Sequence, residues 1–416
     1  MVDGREEETD MEQRNDLLPA VKGIVTQCDR CGSCLTVCPL YGTRDIEASS
    51  ARGKNNIARG IIEGVLDEDP AVLDAANFCL MCKACVANCP SKVRTDEAMI
   101  LVRQHFADRH GGANLKYKAI GSIMKNRALV KLSSGALGIM RKMKLGGLVP
   151  FGMAPEGFSR EKYLVAFAGP AALGRAAAPS ATAVTPASRV AYFDGCGMRM
   201  MFPAAAEESL AILNTVGTAK KADNVCCGLP HLVHGLRSDF LALARENITA
   251  FADADIVVTD CASCSDTLKH LGDHFTDDPE WRERAAAFSG KVMGLTEYLA
   301  KAGYQPRQKA DVTITYHEPC HQGRGQNVKK QPRELLKAAA NYVEMSGADV
   351  CCGGAGTFHM DYPDIAETLL EKKRANIEKT GARIVVTECP ACLVQMNKAA
   401  ERSGGKFKAM HISQVL

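Results

Sequence analysis

Asp255-Ile-Val-Val-Thr-Asp-Cys-Ala-Ser-Cys264 and Arg383-Ile-Val-Val-Thr-Glu-Cys-Pro-Ala-Cys392 are nearly the same ten residues written twice. Two further pairs keep the same order. Arg189-Val-Ala-Tyr-Phe-Asp-Gly-Cys196 matches Val312-Thr-Ile-Thr-Tyr-His-Glu-Pro-Cys320, and Val225-Cys-Cys-Gly228 matches Val350-Cys-Cys-Gly353. Two copies fall short of a solenoid, which needs at least three units, so a duplicated domain is expected. The β-branched runs Ile256 to Thr259 and Ile384 to Thr387 read as short buried strands. A helical pattern precedes each run. In the second copy Ile365, Leu369, Leu370 and Ile377 mark it, and Gly381 is the expected stop. Alternating strands and helices predict an α/β fold with a parallel sheet in each copy. The cysteines then fall past strand ends, at the carboxyl edge where such sheets place ligands.

Working toward the N-terminus, Cys28, Cys31, Cys34 and Cys38 precede Pro39, and Cys79, Cys82, Cys85 and Cys89 precede Pro90. Both are C-x2-C-x2-C-x3-C-P. Three thiolates two residues apart can wrap one face of a cubane, and the fourth reaches the other cluster. The ligand sets therefore cross: Cys28, Cys31, Cys34 and Cys89 for one [4Fe–4S] cluster, and Cys79, Cys82, Cys85 and Cys38 for the second. Such crossing holds two clusters close together, which suits electron relay. Zinc also takes four thiolates, but its ribbons use separated pairs. Between the motifs Ile57, Ile61, Ile62 and Val65 stand at helical spacing, so a mostly α, ferredoxin-like domain is expected.

Each repeat carries five cysteines. The first set is Cys196, Cys226, Cys227, Cys261 and Cys264; the second is Cys320, Cys351, Cys352, Cys389 and Cys392. A cubane or a zinc ion needs four thiolates, so five imply a spare thiol or a larger, irregular cluster. Structural zinc, or a redox disulfide at one Cys-x-x-Cys, are the competing readings. Gly228, Gly353 and Gly354 are expected to let backbone approach an inorganic core. His231, His234, His317, His321 and His359 lie beside these cysteines as candidate ligands or proton donors, or as ordinary hydrogen-bonding residues.

The whole chain of 416 residues implies two or three domains, and a net charge of +3 with no long basic tract argues against a nucleic-acid partner. The eighteen cysteines are clustered, which reads as metal ligation rather than disulfides. No signal peptide and no membrane-spanning run are expected. The expected organisation is a disordered lead-in (1–17), a ferredoxin-type domain (18–110), a helical connector and linker (111–188), and two cysteine-rich domains (189–305 and 306–416). Leu129 to Met153 reads as a surface helix packed on its own protein, or as a basic amphipathic face for a membrane or a partner subunit. Ala171 to Ser188 reads as the linker. No nucleotide-binding glycine pattern follows a strand, so no flavin is expected in this chain.

Taken together, tandem four-cysteine motifs followed by two Cys-Cys-Gly domains resemble the iron–sulfur subunits of glycolate oxidase, D-lactate dehydrogenase and anaerobic glycerol-3-phosphate dehydrogenase. The cysteine-rich domains are similar to those of heterodisulfide reductase. The likeness runs from about Asp16 to the C-terminus and uses all eighteen cysteines. It implies two cubanes in the four-cysteine motifs. It also implies a non-cubane [4Fe–4S] cluster at Cys320, Cys351, Cys352, Cys389 and Cys392, with the first set as a candidate second site. The implied role is an electron-transfer subunit of an oxidoreductase complex. An FAD-linked partner would oxidise a 2-hydroxy acid, glycolate or D-lactate, and electrons would pass through this chain to a quinone or another acceptor. The implied location is cytoplasmic, or peripheral at the inner face of the membrane. Complete five-cysteine sets also fit a second type, a catalytic subunit that cleaves a disulfide.

Overall fold

Valine and isoleucine, stiff at χ1, favour extended backbone, and both Ile-Val-Val-Thr runs are strands in the computed structural model. The structure describes residues 17–110, 114–142, 189–224, 226–306 and 308–416. Residues 1–16 of the expected lead-in and the whole linker 171–188 lie outside the described residues, as does the end of the basic segment beyond Lys142. Two compact units are present. One holds the described residues up to Gly121 together with Pro230–Phe240; the other holds Ser122–Leu229 and Leu241–Leu416.

The larger unit is the duplicated part. Its strands are β1 (Val190–Tyr192), β2 (Ala219–Lys221), β3 (Ile256–Thr259), β4 (Val292–Gly294), β5 (Ala310–Tyr316), β6 (Ala340–Tyr342), β7 (Ile384–Thr387) and β8 (Lys408–His411). They form two four-stranded sheets of orders β2-β1-β3-β4 and β6-β5-β7-β8. Every pairing is parallel. The identical order carries the duplication from sequence into topology. In each sheet the chain starts at an inner strand, moves to one edge and crosses back, which creates a switch point at the carboxyl edge. The helix before β7 spans Pro363–Lys379, with Leu369, Leu370 and Ile377 buried. Gly381 follows in the left-handed region at φ +67°, where a side chain would be strained.

The two sheets share one apolar core. Val190, Tyr192 and Val258 of the first copy pack in the same cluster as Ile314, Tyr316, Ile384 and Met410 of the second. Polar groups lock the copies reciprocally. From the first copy, Thr296 donates its hydroxyl to Glu388 at 2.6 Å. From the second, His411 Nε2 meets the carbonyl of Asp260 at 2.9 Å, and Ser413 donates to the carbonyl of Ala205 at 2.8 Å.

The smaller unit is helical. Its core joins Val21, Val25, Ala58, Ile61, Val72, Met99, Val102 and Phe106. The helix Ala51–Ile62 buries Ile61, but Val65 does not continue its stripe: Val65 is 74% exposed. The chain turns at Gly64 (φ +68°), Val65 N–H reaches back to the carbonyl of Gly60, and Leu66 folds over Gly60, which has no side chain to obstruct it. Pro230–Phe240 belongs to this unit for local reasons. Arg103 donates to the carbonyl of Val233 at 2.9 Å, and the rings of His234 and Tyr117 stack 3.6 Å apart.

Downstream of the small unit's long helix, Arg127–Lys142 is helical as expected, with Val130 fully buried and Leu132 and Ile139 exposed. Among the described residues no helix is long and apolar enough to cross a membrane.

The lock between the copies is open to a direct test. Thr296→Val leaves the buried Glu388 carboxyl short of a donor and is expected to lower unfolding stability by about 2 kcal/mol, while Thr296→Ser stays within about 0.5 kcal/mol of wild type. Chemical denaturation of the three proteins measures it.

Candidate metal centres

In the smaller unit the two four-cysteine loops adopt the same local conformation. The residues on either side of each middle cysteine have positive φ: Arg30 (+57°) and Gly32 (+85°) around Cys31, Met81 (+50°) and Lys83 (+57°) around Cys82. Three of these are not glycine, and each costs about 1 kcal/mol in that region. Such left-handed residues within a turn are the backbone pattern of anion-binding nests. Each loop is anchored by an arginine. Arg59 donates to the carbonyls of Val25 and Cys28, and Arg103 to those of Ala76, Asn77 and Cys79.

A cleft partly open to solvent is lined by Cys79, Cys82, Cys85 and, from the other motif, Cys38. Three thiols of one loop and the last thiol of the other face one space, as a four-thiolate cubane requires. Burial first, and then Cys79 and Cys82, push the Cys85 thiol well above its ordinary range. A cation among the thiols reverses that penalty. On the side of the first motif, Asn88 donates to the carbonyl of Ser33 at 2.8 Å, and Ser91 donates to Asp29. These bonds pin the segment that carries Cys89 against the Cys28–Cys34 loop.

Lys54 also lines the cleft. It is 2% exposed, donates to the carbonyls of Ala48 and Ser49 at 3.1 and 2.8 Å, and has its pKa lowered by burial. Motif reasoning misses this residue. Its signal in the sequence is a lysine on the buried helical stripe that continues through Ala58 and Ile61.

In the larger unit every cysteine of the two five-membered sets is buried and free. The three loops of each set leave neighbouring strands. Cys196 follows β1, Cys226 and Cys227 follow β2, and Cys261 and Cys264 follow β3; the second copy repeats this after β5, β6 and β7. Both sets therefore straddle the switch point of their sheet.

Thiol touches thiol throughout. Cys196 and Cys226 are 3.4 Å apart. Cys226 contacts Cys227, which contacts Cys264, which contacts Cys261. Cys261 meets Cys389 of the second copy. From there the row runs through Cys392 and Cys352 to Cys351 and Cys320. Hydrogen bonding with Cys196 and Cys227, then burial, pushes Cys226 well up; hydrogen bonds from Cys351 and Cys392 pull Cys352 well down. Ten thiols crowded in a low dielectric cannot all ionise unless cations sit among them. The donor set fits iron or another thiophilic metal.

Buried carboxyls precede the Cys-x-x-Cys of each copy. Asp260 accepts from Tyr192 (2.9 Å) and Ser209 (2.7 Å), and Glu388 accepts from Thr296 and Gln322 (both 2.6 Å). Burial raises both to about 7. Lys373, 2% exposed, donates to the carbonyls of Gly347 and Ala348 near the second set, and burial lowers its pKa. It too sits on a buried stripe, between Leu370 and Ile377, where motif reasoning does not look.

The glycines and histidines divide. Gly228 and Gly353 have φ of +90° and +82°, but a side chain at Gly353 would strike Ala366 of its own copy's helix rather than a thiol. At Gly354 the side-chain direction does pass Cys352 Sγ, at 3.6 Å. His231 binds the carbonyl of Gly121 at 3.0 Å, and His234 stacks on Tyr117, both within the smaller unit. His321 pairs with Asp266 at 3.1 Å, and His359 Nδ1 meets the carbonyl of Gly354 at 3.2 Å. His317 lies with Cys352 and Cys392 such that their potential ligand atoms are all within 4.8 Å of one another.

Comparison with known proteins agrees with this arrangement. The 4Fe-4S dicluster domain matches residues 24–93, and the cysteine-rich domain named CCG matches twice, at 190–269 and 314–397. Iron–sulfur clusters are thus the cofactors of this chain. It is 29% identical to the "Probable glycolate oxidase iron-sulfur subunit" of Bacillus subtilis (strain 168), over 95% of this chain and 94% of that protein. It is 32% identical to "Lactate utilization protein A" of Shouchella clausii, over 55% of this chain and 98% of that protein. A fumarate reductase (CoM/CoB) chain of Methanothermobacter marburgensis is 32% identical over 56% of this chain and 46% of that protein. The chain belongs to the family of glycolate oxidase iron–sulfur subunits and lactate utilization protein A, with a 4Fe-4S dicluster region followed by two CCG cysteine-rich repeats.

Proposed function

We propose that this chain is the iron–sulfur electron-transfer subunit of a flavin-dependent 2-hydroxy-acid dehydrogenase complex acting on glycolate or D-lactate. An FAD-linked partner delivers electrons, and a quinone or another acceptor removes them, with the complex cytoplasmic or peripheral at the inner face of the membrane. The observation that carries the reading is the sulfur arrangement: Cys79, Cys82, Cys85 and Cys38 around one space in one unit and an unbroken row of ten thiols in the other. Such clusters, when bound, supply one-electron carriers, and the chain's own part is to hold them, those of the ten-thiol row away from water.

We assign Cys28, Cys31, Cys34 and Cys89 to one [4Fe–4S] cubane and Cys79, Cys82, Cys85 and Cys38 to the other. The set Cys320, Cys351, Cys352, Cys389 and Cys392 takes a non-cubane cluster, and Cys196, Cys226, Cys227, Cys261 and Cys264 a second. The domain limits proposed are 18–110, 111–188, 189–305 and 306–416, with Pro230–Phe240 packing on the first.

The second reading, a catalytic subunit that cleaves a disulfide, is favoured by one observation. Both five-cysteine sets are complete, and they touch through Cys261 and Cys389.

Three outcomes are expected. In anaerobic preparations Cys38→Ser and Cys85→Ser lose the same EPR signal, and Cys34→Ser loses the other; loss of one shared signal by Cys34→Ser and Cys38→Ser overturns the crossed assignment. Lys54→Met removes a buried cation beside the Cys79-containing cluster and lowers its midpoint potential by on the order of 50 mV, read by redox titration. Finally, glycolate or D-lactate oxidation with a quinone analogue requires both this chain and a copurifying flavoprotein. Reduction of a disulfide by the purified chain with reduced viologen, without such a partner, supports the second reading instead.

A further inference from the structure

We propose that His317 is a nitrogen ligand to the metal centre of the second five-cysteine set, a ligand type that the first set lacks. The inference rests on the reading that the second set binds iron.

The two copies are superposable in sequence at this point. Tyr192-Phe193-Asp194-Gly195-Cys196 matches Tyr316-His317-Glu318-Pro319-Cys320. The backbone position is also the same. Phe193 N–H donates to the carbonyl of Val258 at 2.8 Å, and His317 N–H to that of Val386 at 2.9 Å, so both residues extend the inner strand by one rung. Both side chains are fully buried. In the first copy the ring is hydrocarbon and stacks on Phe251, with centroids 5.6 Å apart. In the second copy the ring has two polar nitrogens, and among the described residues neither has an oxygen or nitrogen partner. What the imidazole faces is sulfur: Cys352 of the Cys-Cys-Gly loop and Cys392 of the Cys-x-x-Cys loop.

An imidazole kept out of water with only thiol sulfur to meet, Cys352 first, is poorly compensated, and a protein spared that cost in one copy by phenylalanine has no packing reason to bear it in the other. Coordination removes the cost, because neutral imidazole is a good iron ligand and soft thiolates hold the same ion. The neighbouring histidines differ in two ways: each meets an oxygen, His321 that of Asp266 and His359 the carbonyl of Gly354, and among the described residues only His317 is grouped with two thiols at ligand distance.

The consequence is an asymmetry between duplicated sites. Iron bound by a neutral imidazole carries less negative charge than it would with a further thiolate at that position, and is easier to reduce. Buried Lys373 beside the same set acts in the same direction.

The test is pulsed EPR on the full chain, purified anaerobically with its clusters, as natural-abundance and 15N-histidine-labelled protein, across a redox titration. The expected result is a strongly coupled nitrogen that changes with the isotope in wild type, His321→Asn and His359→Asn, and is missing in His317→Phe, which restores the ring of the first copy. His317→Cys, a variant that keeps a ligand if the phenylalanine variant fails to fold, is expected to lower the midpoint potential of this centre. No strongly coupled histidine nitrogen in any paramagnetic state of a protein whose second set holds iron, shown by iron loss in Cys352→Ser, overturns the assignment. So does loss of the nitrogen signal in His321→Asn or His359→Asn instead, or an unchanged potential in His317→Cys. Wild-type protein with no iron lost on Cys352→Ser removes the cluster reading itself and this inference with it.

Discussion

Sulfur packed on sulfur away from water is the constraint on which this molecule turns. A buried thiol can stay protonated, and one thiolate can be held by hydrogen bonds from its neighbours, but a row of ten cannot ionise together without cations between them. The fold brings the row about by ordinary means. Short parallel strands end at one edge, the strand order switches there, and three loops per copy deliver their cysteines to the same place. Two copies then join face to face through a shared apolar core, which sets Cys261 against Cys389.

That junction is stiffened by polar groups that would be liabilities elsewhere. Glu388 is buried in the second copy and is satisfied from the first through Thr296, while the carbonyl of Asp260 in the first is satisfied from the second through His411. Each copy thus holds in place the residue before the other's Cys-x-x-Cys. Separating the copies would leave buried polar atoms unpaired on both sides, so the thiol row and the interface stand or fall together. In the smaller unit the same logic works at shorter range: Arg59 and Arg103 fasten loops whose positive φ angles would otherwise relax.

Much of this is legible in the residues, and the parts that are not share a cause. Ile256 to Thr259 and Ile384 to Thr387 read as strands because β-branching and brevity agree. Gly381 reads as a stop because only its conformation fits there. The crossing of the four-cysteine sets is an expectation from spacing, and Cys38 lines the same space as Cys79, Cys82 and Cys85. Val65 misleads because periodicity cannot see that Gly60 and Gly64 let the chain fold back one turn earlier. Gly353 suggests close approach to a cluster, yet its missing side chain makes room for Ala366. Lys54 and Lys373 escape because a lysine on an apolar stripe looks like a flaw in the pattern until the carbonyls that receive it are known. The contact of Cys261 with Cys389 depends on how two domains dock, which no local pattern encodes.

Iron is expected in the ten-thiol row as well as in the two four-cysteine sets. Iron and acid-labile sulfide, counted per chain on anaerobically purified wild-type protein with zinc measured alongside, test it most directly. The expected result is more iron and sulfide than two [4Fe–4S] cubanes hold, with zinc at trace level. Iron that stops at two cubanes, with stoichiometric zinc or freely titrating thiols in the remainder, would contradict it.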